Sequence, residues 1–165
     1  MRAEASLDPA SLTVRRAVPG DAEALVRLGE AHAAFEGLAL PDGREARRRR
    51  LELALLQQRV QAWLVCGPQA LSLSRAHGYA SLTLDFSTWA AEPYAHLDCL
   101  YLQPALRGQG WGQVLLQLAS DHARAQGCRE LQWQTPEWNE AAARFYRRQG
   151  AQELVKRRFI LALPD

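Results

Sequence analysis

Two stretches hold residues whose types and spacing can do chemistry. Arg107-Gly108-Gln109-Gly110-Trp111-Gly112 is a glycine-rich run with a leading arginine, set between a strand-like segment and a helical one. Backbone N–H groups in such a run converge on an anion at the positive end of the following helix, and glycine lets that backbone approach closely. Its G-x-G-x-G spacing departs from the dinucleotide pattern G-x-G-x-x-G, and no Lys-Ser/Thr follows as a P-loop requires. In the second stretch, Tyr94 to Leu102, His96 and Asp98 stand two apart and share one face of a strand. Ser120-Asp121-His122 has the residue types of a nucleophilic triad. Helical neighbours point about 100° apart, however, and form no hydrogen-bonded relay. No further His/Cys/Asp cluster has ligand spacing, so no metal site is expected.

The elements that position these residues follow from periodicity and punctuation. Leu12 to Val18 reads as a first strand, and Pro19-Gly20-Asp21 ends it, with Asp21 placed to cap a helix over Ala22 to Phe35. A second amphipathic stretch, Arg44 to Arg59, puts Leu51 and Leu55 on one side with Leu56 beside them, and Arg47 to Arg50 on a solvated face. Strand-like runs follow at Val60 to Cys66, Tyr79 to Phe86 and Tyr94 to Leu102. The glycine run then opens a helix that Gly127 closes. Leu131 to Gln134 reads as a short strand, Trp138 to Arg148 as a helix closed by Gly150, and Leu154 to Leu163 as a last strand. The unit from Leu97 to Gln134 is a crossover connection that makes its two strands parallel inside an otherwise antiparallel sheet. This is a mixed α/β domain.

The chain has 165 residues, 48% hydrophobic and 23% charged, with a net charge of +2. That suits one globular domain, here residues 11–165 after a tail over 1–10, and excludes disordered, collagenous and disulfide-scaffold classes. Of 20 Lys and Arg residues only Lys156 is a lysine, yet 18 acids balance them, so no nucleic-acid partner is implied. Cys66, Cys99 and Cys128 are an odd, dispersed set that fits a reducing cytoplasm. Met1 to Ala10 does not read as a signal peptide, and no apolar run is long enough to span a membrane.

With the glycine run in that context, the chain resembles the GNAT superfamily of N-acetyltransferases. The acyl-CoA loop of that superfamily has the pattern Arg/Gln-x-x-Gly-x-Gly/Ala, matched by Arg107 to Gly112. Within it, the chain is similar to the diamine/polyamine N-acetyltransferase group through Gly78-Tyr79-Ala80, Phe86 to Trp89, Leu97-Asp98, Glu137-Trp138-Asn139 and Phe145 to Ala151. The resemblance implies a mostly antiparallel central sheet, splayed at the parallel pair between the strand ending at Leu102 and that at Leu131 to Gln134. It implies acetyl-CoA as acyl donor and CoA as product. The backbone of Arg107, Gly108, Gln109, Gly110, Trp111 and Gly112, with Gln113, would hold the pyrophosphate. Main-chain groups of Leu100, Tyr101 and Leu102 would meet the pantetheine arm, and Asn139 and Tyr146 would contact the cofactor.

Attack of an amine on a thioester needs a neutral amine, a site for developing oxyanion charge and a proton for the departing thiolate. The resemblance places Asp98 where the family has a glutamate that takes the amine proton; aspartate is one methylene shorter. It places Tyr146 as the acid, since a phenol of pKa about 10 can protonate a thiolate. A backbone N–H near Leu100 would meet the oxyanion if the strand bulges there. Glu36, Trp89, Glu92 and Asp98 would line the acceptor side, where carboxylates and aromatic faces suit a cationic amine. Ser87 and Cys99 replace acids of the polyamine enzymes, which points to a smaller acceptor such as a diamine or an amino acid. A homodimer is implied as well. Acetylation of a protein or peptide amine, or non-catalytic acyl-CoA binding, are the competing expectations.

Overall fold

Residues 11–41, 43–68 and 76–163 are described by the computed structural model, so the expected tail over 1–10 lies outside them. The chain falls into two compact units, residues 1–134 and 135–165. In the first, β1 (Thr13–Arg16) leads through a short 3-10 turn to α1 (Ala22–Glu36) and α2 (Arg44–Leu56). Then come β2 (Gln61–Cys66), β3 (Ala76–Ser87), β4 (Glu92–Leu102), α3 (Trp111–Ala125) and β5 (Leu131–Gln132). The five strands pair in chain order, antiparallel from β1 to β4 and parallel between β4 and β5. The expected mixed sheet, with its parallel pair made by a crossover helix, is what forms.

Helices cover both faces of the sheet. Leu25 and Leu28 of α1 and Leu55 of α2 pack with Ala62, Leu64, Tyr79 and Tyr101, whereas Leu56, one step further round α2, is exposed. By alternation Trp63 faces the other way. There it meets the edge of His122 on α3 at 5.6 Å, and Leu115, Leu116, Ala119 and Ala123 make the buried stripe of that helix. Gly78 is required where β3 meets β4, because a Cβ there would sit 2.4 Å from Leu102 Cδ2 and 3.0 Å from the Tyr101 carbonyl oxygen.

Two expectations about charged residues change. Asp21 precedes α1 but does not cap it with its side chain. Its buried carboxylate accepts two bonds of 2.7 Å from Arg15 and one of 2.9 Å from the Val18 N–H, ending β1 and turning the chain into α1. Arg47 to Arg50 are not a uniformly solvated face: Arg47 donates to Glu30 on α1 at 2.6 Å, with Arg44 paired to Glu23 at 2.9 Å, so charge ties α2 to α1. Arg48 is bonded to Glu45 and Glu52 along its own helix, while Arg49 and Arg50 are exposed.

The second unit holds α4 (Glu140–Arg148), opened by Asn139, whose side chain accepts the Ala142 N–H at 3.2 Å. Gly150 takes a left-handed conformation (φ 85°) just past it. The last strand expected over Leu154 to Leu163 does not form; its described residues have no ladder. Val155, Phe159, Ile160 and Leu161 are more than four-fifths exposed. Strand-prone residues need an edge to pair with, and this unit contains no second strand among its described residues.

Arg15 holds the Asp21 carboxyl below the usual carboxylate range. A depressed pKa contributes stability that is full above the unfolded-state value and is lost as pH falls through the folded one. Asp21→Asn should therefore lower unfolding free energy at pH 7 by about 2 kcal/mol. Its stability should also vary less below about pH 4 than that of the parent. Urea unfolding at several pH values measures both.

Candidate functional site

The turn before α3 is built as an anion cradle. Gly108 and Gly110 adopt φ of 76° and 89°, a region open to glycine at little cost, and a Cβ on either would meet nothing within 4 Å. Among the described residues, the N–H groups from Gly108 to Gly112 donate to no backbone carbonyl, whereas Gln113 and Val114 N–H already turn back to the Gly110 carbonyl. Those amides lie at the N-terminus of a 15-residue helix, whose dipole favours negative charge there. Gln109, Gly110, Trp111, Gln113, Val114 and Leu118 border a cavity of about 530 Å³. The buried indole N–H of Trp111 has no partner. Open amides and an unpartnered donor beside a mostly apolar wall fit a ligand that carries phosphates on a long chain, as acetyl-CoA does.

Beside the cradle, β4 carries one residue more than its partner. Ser81 pairs with Cys99 and Leu82 with Leu97, leaving Asp98 as the extra residue of a β-bulge. The bulge inverts the backbone parity. Past the end of β4, Gln103 N–H donates to the His77 carbonyl at 2.9 Å, so Tyr101 and Cys99 N–H also face β3 and those of Leu100 and Leu102 face away. At the other end Ala95 N–H points away from β3, to the Glu130 carbonyl at 2.9 Å. Without the extra residue that parity would have directed Leu97, Cys99 and Tyr101 outward instead. The parallel ladder covers only Ala95–Leu131 and His96–Gln132, while β4 runs on to Leu102. The expected splay therefore begins beside the bulge.

Side chains from α1, β3 and β4 gather on one face here. Asp98 and Cys99 point the same way, with Sγ 3.7 Å from Oδ2, which neighbours on a regular strand cannot do. Tyr79 lies beside Cys99 and feels the carboxylates of Asp98 and Glu36. Burial, then those neighbours, pushes its phenol above the ordinary tyrosine range. Glu36 accepts from His32 at 3.1 Å, and His32 stacks on Tyr101 at 5.2 Å, with the rings 25° apart. Arg107 follows on: its guanidinium lies 4.5 Å over Phe35 and 5.8 Å from the Tyr101 ring centre, with Nε donating to the Leu102 carbonyl at 3.1 Å.

The structure thus brings Glu36 and Asp98 together and separates the other expected acceptor residues from them. Trp89 is 99% exposed in the turn at the far end of the β3–β4 hairpin. Glu92 starts β4, six residues or about 20 Å of strand from Asp98, 3.8 Å from Arg129. Asn139 and Tyr146 belong to the C-terminal unit, where Asn139 caps α4 and Tyr146 is half-buried beside Phe145, the ring centres 5.1 Å apart. Ser120 bonds to the Leu116 carbonyl and Asp121 to Gln117 and Arg124, so the triad-like run is unconnected. His32 and Tyr79 join this group although neither is among the site residues expected from the sequence. The His32/Glu36 spacing of four on a helix carries a signal; the facing of Tyr79 and Tyr101 appears only with the strand register.

The family model described as "Acetyltransferase (GNAT) family" matches residues 30–151. The chain belongs to that acetyltransferase family. Thialysine N-epsilon-acetyltransferase of Bos taurus is 32% identical over 79 residues, 48% of this chain and 46% of that protein. The Caenorhabditis elegans protein of the same name is 33% identical over 61 residues, 37% and 38% of the two chains. The matches thus span less than half the length of these relatives. Among solved structures, an aminoglycoside N-acetyltransferase in complex with CoA superposes with a TM-score of 0.72 at 16% identity, over 92% of this chain and 94% of that one. An aminoglycoside acetyltransferase from an uncultured soil metagenomic sample gives 0.74 at 18%, over 94% and 99%. At such identities the likeness is one of fold.

Burial first, then the charge of Asp98, pushes the Cys99 thiol up to about 11. Thiolate, not thiol, reacts with alkylating agents. Cys99 should therefore stay largely unmodified by iodoacetamide at pH 8 under conditions that label a peptide thiol. Asp98→Asn should speed its labelling. Peptide mass mapping reads both, and labelling as fast as a free thiol would contradict the assigned environment.

Proposed function

We propose that the chain is an acetyl-CoA-dependent N-acetyltransferase that acetylates a primary amine of a small molecule by direct attack in a ternary complex. The observation that carries this reading is the bulge at Asp98, which sets two carboxylates beside an outward-facing backbone N–H next to the glycine cradle. The named relatives are acetyltransferases, and thialysine, the word in the names of two of them, is an amino-acid amine. Acetyl-CoA, when bound, supplies an activated acetyl thioester.

The rest is the work of this chain's residues. Amides of Gly108 to Gly112 hold the phosphates, and Leu100 to Leu102 offer main-chain groups to the arm. Glu36, fixed by His32, and Asp98 hold the ammonium form of the acceptor. Asp98 takes one proton from it through a water, since an aspartate reaches less far than a glutamate. The outward N–H of Leu100 faces negative charge developing on the acyl oxygen. Tyr146 Oη gives its proton to the departing sulfur, and the second proton that the nitrogen loses as the amide forms restores the phenol. Unpaired cysteines at 66, 99 and 128 suit a reducing cytoplasm, and a homodimer belongs to the same reading.

A screen of small amines with thiol release as the readout tests the activity; intact acetyl-CoA binding without turnover of any amine would defeat it. Tyr146→Phe should bind acetyl-CoA like the parent and lose about 100-fold in kcat, and Asp98→Asn should lose a similar factor. The Asp98→Asn loss should shrink as pH rises and free amine becomes available without a base. Turnover of Tyr146→Phe at the parent's rate would remove the proposed acid.

A further inference from the structure

We infer that Arg107 is a specificity-determining residue for the acceptor: it binds an anionic group, so that amines also carrying a carboxylate are preferred over plain diamines. This rests on the small-amine reading above and deepens it. As leader of the glycine loop, Arg107 is expected beside the cofactor phosphates. Its side chain instead turns toward the last turn of α1, held by the face of Phe35 and by the Nε bond to the Leu102 carbonyl. A guanidinium has five N–H donors, and that bond uses one. Among the described residues no carboxylate lies within ion-pair distance of Arg107, so its terminal nitrogens present an uncompensated fork of charge.

The guanidinium lies beside Phe35 and Tyr101, and the acceptor residues follow through their contacts. Tyr101, 5.8 Å from the guanidinium on one side, is stacked on by His32, which holds Glu36. The same small group of side chains therefore offers carboxylates for an ammonium and a planar cation for a carboxylate. Contact with the Phe35 ring and the Nε bond to the Leu102 carbonyl restrain the guanidinium, which favours two parallel N–H···O bonds to a carboxylate. A diamine leaves the fork unmatched and brings a second ammonium toward it with no carboxylate to offset that charge. An amino acid with a side-chain amine satisfies both ends.

Lysine and cadaverine differ by the carboxylate alone and are the probes. Wild-type protein should show kcat/KM about tenfold or more in favour of lysine, a difference carried by the acceptor KM. Arg107→Gln should lower kcat/KM for lysine at least about tenfold more than for cadaverine, with a smaller change in KM for acetyl-CoA; Arg107→Lys, keeping charge but not the fork, should retain part of the preference. Equal losses on both amines, a rise confined to the acetyl-CoA KM, or a wild-type preference for cadaverine would each overturn the assignment. Calorimetric titration of both amines, in the presence of CoA, reads the contact without turnover. If neither amine is acetylated, the acetyltransfer reading suffers; equal affinity of wild type for both amines defeats the role of Arg107 by itself.

Discussion

One extra residue in β4 governs how the N-terminal unit presents its chemistry. Strands alternate, so the faces and amide directions of β4 are locked to β3 residue by residue. With Asp98 unmatched, the lock slips once. Leu97 and Leu100 then both fall on the sheet face of Ala80 and Leu82, while Asp98 and Cys99 together turn toward α1. The same slip directs Leu100 and Leu102 N–H away from β3. A carboxylate and a backbone donor cannot be offered at these positions by a regular strand. Gly78 lets β3 and β4 stay in close register past the irregularity, where any side chain would strike Leu102.

Burial decides which groups around the bulge carry charge. The phenol of Tyr79 and the thiol of Cys99 are both pushed upward by desolvation and by neighbouring acids, so at neutral pH they are uncharged hydrogen-bonding groups. Charge is left to Glu36 and Asp98 on one side and to Arg107 on the other. His32 is wedged between Tyr101 and Glu36 and limits the freedom of the Glu36 carboxylate. Recognition of a cation by fixed carboxylates needs less ordering on binding than recognition by mobile ones.

Much of this order is legible in the residues. The strand–glycine loop–helix run from Leu97, the helix over Ala22 to Phe35, which extends one residue further to Glu36, and the stops at Gly127 and Gly150 follow from period and punctuation. The bulge does not: an alternating run such as Tyr94 to Leu102 shows no extra residue until its partner's register is known. Asp21 has the right type for a cap, but a bidentate arginine six residues upstream competes for its oxygens and wins. Arg107 sits where an anion-binding arginine is expected, and only the aromatic ring of Phe35, more than seventy positions away, shows that its side chain turns elsewhere. The stretch from Leu154 has strand composition, and composition supplies no edge to pair with.

The arginine excess makes sense position by position. Net charge is small because 18 acids offset 20 Lys and Arg residues, and where the arginines meet acids is structural. Arg15 pins the end of β1 to the start of α1 through Asp21. Arg44 and Arg47 then hold α2 against Glu23 and Glu30 of the same helix. Those contacts fix α1 at its beginning and middle, and its last turn carries His32, Phe35 and Glu36. The salt bridges are partly exposed, so each contributes modestly to stability. Their larger consequence is positional: a helix held at those points presents its final turn to Tyr79, Tyr101 and Arg107 in one arrangement. An arginine that met a carboxylate of its own chain at position 107 would lose the ability to meet one on a ligand.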